Sequence, residues 1–136
     1  MGTWAVDAFG NDGAVDWTYG LEDVRDLSLV EEAIDIVLAA GEEGPDAPDG
    51  ADALVAIEVI ARLQGNWGER STYSETVDEW VESVKLPPPP ALVAKARAAI
   101  DRILADNSEL RELWEDSDSY DDWLASVREL EGRIHG

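Results

Sequence analysis

Three oxygen-bearing side chains, Asn11, Asp12 and Asp16, lie within six positions of one another near the start of the chain. Asp12 and Asp16 are separated by four residues, which is one helical turn. Carboxylate and amide oxygens are the ligands that hard divalent cations take, so this trio is a candidate metal or small-ligand site, with Glu58 a further oxygen donor. The same residues also suit a capped helix start, because the Asp12 carboxylate can accept an orphan N–H at the positive end of the helix dipole. Glu58 stands inside the apolar run 53–61. A buried acid must be paired, hydrogen-bonded or neutral, and a raised carboxyl pKa is a device of acid–base catalysis. The plainer alternative is an ion pair with Arg62, one turn further on.

The segment 115–122 concentrates Asp116, Asp118, Asp121 and Asp122. A calcium loop needs a glycine after its third ligand position, and none is present there. The segment therefore reads as an acidic turn, and with Glu42-Glu43 it is a candidate docking surface for a basic partner protein. Trp67, in Gly65-Asn66-Trp67-Gly68, is either a lid on the core or an exposed contact residue of the kind found at binding hot spots.

Other chemistries lack parts. The chain has no cysteine and one histidine, His135. Thiol nucleophiles, disulfides, histidine zinc sites and Ser-His-Asp triads are thereby set aside. No phosphate-loop or dinucleotide fingerprint occurs, and no cofactor is expected. Paired-carboxylate hydrolysis is not distinguished from chance, since 31 acids make a close pair commonplace. The net charge of −21 disfavours direct contact with nucleic acid or anionic membrane, both of which need Lys and Arg. Such acidity also arises from solubility needs, or from a salt-rich or GC-rich bacterial source, with which two lysines against eight arginines agree. No apolar run approaches the ~20 residues of a membrane span. A signal-peptide pattern is lacking and Val6 replaces the Ser or Thr of a myristoylation motif, so a cytoplasmic location is expected.

The opening Gly2-Thr3-Trp4, followed by Phe9, Asn11-Asp12, Ala14 and Asp16-Trp17, resembles a bacterial family, domain-of-unknown-function family 4259. The segments Leu110-Arg111-Glu112-Leu113-Trp114-Glu115 and Tyr120-Asp121-Asp122-Trp123-Leu124 are similar to it as well. Ala5 stands where that pattern has a glycine. The resemblance implies a small bacterial cytoplasmic protein and brings no activity with it.

The elements that must position these residues follow from spacing. Trp4, Val6 and Ala8 alternate as an extended arm, Gly10 and Gly13 bracket a turn, and Ala14, Trp17, Leu21 and Val24 have helical spacing. Trp4 and Phe9 are expected to fill a groove between later helices. Ser28-Leu29-Val30-Glu31 is a capping box opening a helix with the stripe Val30, Ala33, Ile34, Val37 and Leu38, ended by Gly41. The loop 41–50 leads to Asp49 as cap of a helix 51–64 that is apolar nearly all round. Thr72-Tyr73-Ser74-Glu75 caps a helix carrying Val77, Trp80, Val81 and Val84, which the prolines 87–90 stop and follow with a stiff spacer. A fifth helix spans about 91–106, with Lys95, Arg97 and Arg102 outward as partners for acids. Asn107 or Ser108 caps a short helix with Leu110, Leu113 and Trp114. Ser119 with Asp122 caps the last, which carries Trp123, Leu124, Val127, Leu130 and Ile134.

The sequence thus predicts an all-α single domain over 1–136: a bundle of six or seven helices around a central apolar helix, with an extended N-terminal arm. The expected function is non-enzymatic, a protein–protein interaction module binding a basic partner through Asp116, Asp118, Asp121, Asp122 and Trp67, analogous to acidic inhibitors and immunity-type proteins. The alternative is a divalent-metal or small-ligand domain using Asn11, Asp12 and Asp16.

Overall fold

A computed structural model of the chain describes residues 8–10, 12–68, 70 and 73–134, with Asp12 described by its backbone alone. Among these there are seven α-helices, one 3-10 helix and no strand. They are α1 (Asp12–Thr18), the 3-10 turn Tyr19–Asp23, α2 (Ser28–Ala39), α3 (Ala47–Leu63), α4 (Glu75–Val84), α5 (Pro90–Ile103), α6 (Glu109–Glu115) and α7 (Tyr120–Arg133). The expected N-terminal arm falls on 1–7, outside the described residues.

In α2 the buried residues are Val30, Ala33, Ile34 and Val37, at the i, i+3, i+4, i+7 spacing that brings one face to the core. That face packs on α3 and α5. In α3 every residue from Ala53 to Arg62 is buried, and the helix touches α1, α2, α4, α5, α6 and α7. Neighbours on all sides explain why its apolar residues do not confine themselves to one stripe.

The helix starts depart from the local expectations. Ser28 does not form a capping box; its N–H and hydroxyl both donate to the Asp26 carboxylate, leaving Leu27 as N-cap. α3 begins at Ala47 rather than 51, because Glu109 from α6 reaches back to accept the Ala47 N–H at 2.8 Å. The Glu109 N–H in turn donates to Pro45 O at 3.1 Å, so two helix starts staple each other and satisfy otherwise orphaned groups. Ser74 is the N-cap of α4, yet its hydroxyl donates to Asp78; Thr72 lies outside the described residues. Ser108 does cap α6, accepting the Arg111 N–H at 3.3 Å. Ser119 occupies the N-cap of α7 without a side-chain bond. The first α-helix is also shorter than expected, ending at Thr18, whose hydroxyl bonds back to Val15 O at 2.6 Å before the 3-10 turn that buries Leu21.

Candidate functional site

Glu58 and Arg62 are one turn apart on α3, and the chain folds two further charged groups onto them. Arg62 donates through Nη1 to Glu58 and through Nε to Asp78 of α4, the latter at 2.8 Å. Arg133, in the last turn of α7, grips Glu58 with both terminal nitrogens, at 3.0 and 2.8 Å. Its Nε donates to Glu129 at 2.6 Å. Asn66 closes the circuit, its amide donating to Arg133 O at 2.8 Å. The Ser74 hydroxyl holds the second oxygen of Asp78 at 2.8 Å.

Glu58 is 7% exposed and Arg62 2%. Burial at that level is tolerable for charges only when each is paired and its remaining donors are bonded. Burial works against the Arg133 charge as well, but its bonds to Glu58 and Glu129 outweigh it and hold its pKa above the ordinary value. The Arg62 guanidinium also faces the Phe9 ring at 5.1 Å and the Trp67 ring at 5.7 Å, which shelters it with aromatic faces. Trp67 is half-buried, and Arg70 covers it at 4.0 Å while reaching Glu82 at 3.6 Å. The tryptophan is thus held between two guanidinium groups. It borders a cleft of about 280 Å³ with Leu63, Val81, Lys85 and Pro87. Glu58 is therefore a buried, paired acid that locks α3 to α7, the plainer of its two expected roles.

The acidic turn is arranged differently. Asp116, Asp118, Asp121 and Asp122 are all exposed, and none has a cation within pairing distance among the described residues. Beneath them the turn is stiffened by aromatic packing. Trp114 and Trp123 stack at 6.1 Å and 10°, and Tyr120 lies 6.2 Å from Trp123. Leu113 projects from the same corner, 58% exposed.

The second patch, Glu42-Glu43, lies in the loop between α2 and α3. Asn107 donates to Glu42 O at 2.8 Å, which ties the 41–46 loop to the start of α6. Gly44 makes the close approach possible: its φ is +79°, and a Cβ there would lie 2.1 Å from Asn107 O. The Asn107 bond joins the loop that carries Glu42-Glu43 to the residue before the N-cap of α6. Arg97 and Arg102 bond to backbone carbonyls, contrary to the expectation that they pair with acids. Arg102 donates to Ala40 O and Gly41 O, and Arg97 to Ile134 O. These carbonyls are helix-end acceptors that need donors. Arg111 is shared between Leu104 O and Asp106, each at 2.8 Å, and its Nε lies 3.4 Å from Glu115, so the first acid of the turn has a cation beside it. Lys95 alone of that helix's outer cations behaves as expected, bridging Glu31 and Asp35.

Of the oxygen-ligand trio, Asp16 is exposed on α1, while Asn11 and the Asp12 side chain lie outside the described residues. Among the described residues no group of three or more His, Cys, Asp or Glu side chains could hold a metal ion.

The fold and these two sites define an all-helical protein with ionic links in its interior and, at the α6–α7 turn, four exposed aspartates without an ion-pair partner among the described residues. The chain belongs to the family described as Domain of unknown function (DUF4259), which it matches over residues 2–126. Glu58, Arg62, Asp78 and the acidic turn fall inside that span, whereas Arg133 falls beyond it. No curated protein and no solved structure matches the chain. No helix among the described residues is long and apolar enough to cross a membrane.

Proposed function

We propose that the protein is a non-enzymatic interaction module that docks a basic protein partner through Glu42-Glu43 and the α6–α7 turn. The observation that carries this reading is the α6–α7 turn, where Asp116, Asp118, Asp121 and Asp122 are all exposed and have no cation within pairing distance among the described residues. Beside Glu42, Arg102 donates to the carbonyls of Ala40 and Gly41 rather than to an acid. Leu113, exposed within the acids and backed by the Trp114–Trp123 stack, supplies the apolar anchor that interfaces place inside a polar rim. Charge complementarity of this kind raises association rates and selects against acidic competitors.

The test is binding of the partner across a salt series. Affinity should fall steeply as salt rises, because exposed charges beyond a Debye length, about 8 Å at physiological ionic strength, are screened. Replacing Asp116, Asp118, Asp121 and Asp122 with Asn should remove most of that salt dependence. Unchanged binding after those four substitutions overturns the proposal.

A further inference from the structure

The core stripe of α2 leaves Ile36 on the opposite face, 45% exposed. An isoleucine in that position gains nothing from the core. It forms part of a shallow, open patch on the outer face of α2, made by Ser28, Glu31, Glu32, Asp35, Ile36 and Ala39 of that one helix. The centre is apolar, with Ile36 and Ala39 three positions apart, and the rim carries three carboxylates. Helix spacing places Glu32 one turn before Ile36, and Glu31 one turn before Asp35.

The rim already holds an ammonium group. Lys95 of α5 donates to Glu31 at 3.2 Å and to Asp35 at 3.0 Å, and hydrogen bonds to Asp35 and then Glu31 raise its pKa. Glu32, exposed on the outer face, has no cation within pairing distance among the described residues. The C-terminal end of this face at Ala39 runs through Gly41 into Glu42-Glu43, so it is continuous in the chain with that acidic pair.

From this arrangement we infer that the outer face of α2 is a docking face for an amphipathic, lysine- or arginine-bearing helix of the basic partner. An apolar side chain of that helix covers Ile36 and Ala39, and a cation one turn away pairs with Glu32. Recognition of an amphipathic helix reads such anchors at i, i+3 and i+4. An acidic segment is repelled by the rim, and a second copy of a chain of charge −21 is repelled as a whole. The inference rests on the basic-partner reading and names the form of the partner's contact.

The probe is a short synthetic amphipathic helix made of leucine and lysine, compared with a peptide of the same composition in scrambled order. Amide chemical shifts of the whole protein are followed by NMR at moderate salt. The ordered peptide should give saturable shifts concentrated on residues 28–39, and the scrambled peptide should bind roughly tenfold more weakly. Ile36→Ser, an exposed change that leaves the fold intact by circular dichroism, should weaken the ordered peptide about tenfold. Glu32→Gln should weaken it several-fold, and Leu113→Ser should leave it unchanged. Equal binding of both peptides, or no effect of Ile36→Ser, overturns the α2 docking face. Shifts concentrated on 113–123 overturn that face and leave docking at the α6–α7 turn standing. No binding of either peptide at low salt overturns both.

Discussion

Glu58→Gln removes one charge from the interior while keeping the side chain's shape. In the native protein Glu58 accepts one bond from Arg62 and two from Arg133. Breaking one partner of a buried ion pair costs about 3–5 kcal/mol, because the remaining charge stays desolvated. Here Arg62 keeps Asp78 at 2.8 Å and Arg133 keeps Glu129 at 2.6 Å. The Arg133 side chain is also 14% exposed, so water can take up part of its donor capacity. Those residual partners place the expected loss near the lower end, about 3 kcal/mol. For a chain of this length that corresponds to a fall of about 10 °C in Tm. Urea unfolding followed by tryptophan fluorescence measures it, with unchanged m-value as evidence that the folded state is otherwise intact. Arg133→Met completes a double-mutant cycle, and a coupling of at least ~1 kcal/mol is expected for groups in direct contact. A loss below ~1 kcal/mol for Glu58→Gln, or no coupling to Arg133, refutes the reasoning that this network locks α7 onto α3.

Two further perturbations probe other parts of the fold. Burial first, and the Asp49 charge second, push the Asp52 carboxyl from 3.8 up to about 6. The folded protein therefore holds more protons than the unfolded chain between those values, and this group's contribution to stability falls as pH rises through that window. Full enclosure would make the effect about 3 kcal/mol, but the half-exposed position reduces it to about 1 kcal/mol. Asp52→Asn should accordingly stabilise the protein by about 1 kcal/mol at pH 7 and hardly at all near pH 4; equal effects at both pH values in urea titrations would contradict this. Gly44→Ala should cost roughly 3 kcal/mol or more, combining a left-handed backbone penalty of about 1–2 kcal/mol with the clash against Asn107 O. Thermal unfolding reads that loss, and a Tm within a degree or two of the native protein would show that the 41–46 loop is not pinned as described.

Local spacing carried the helices and the Ser108 cap of α6, and it failed at the starts of α2 and α3. The α2 stripe is legible because Val30, Ala33, Ile34 and Val37 answer to a single period. The start of α3 is not, because the group that extends it to Ala47 is Glu109, sixty-two positions away. Ser28 misleads for a nearer reason: Asp26 competes for its donors before a capping box can form. At the buried site the i, i+4 pair Glu58–Arg62 could be read from spacing, but Arg133, seventy-five positions from Glu58, carries no local signal. Trp67 could be singled out as either lid or contact, and its place between two guanidinium groups depended on tertiary packing. The acids at 115–122 were visible as a run. The approach of the Glu42-Glu43 loop to Asn107 was not, because it needs the positive φ at Gly44 and a bond from a residue sixty-five positions away.

The docking account is tested most directly by affinity capture from lysate of the source cell. The native protein and its Asp116→Asn, Asp118→Asn, Asp121→Asn, Asp122→Asn variant serve as paired baits at low and moderate salt, with mass spectrometry as readout. A basic protein held by the native bait at low salt, released at moderate salt and absent from the variant is the predicted result. The same proteins on both baits, or none on either, would contradict it.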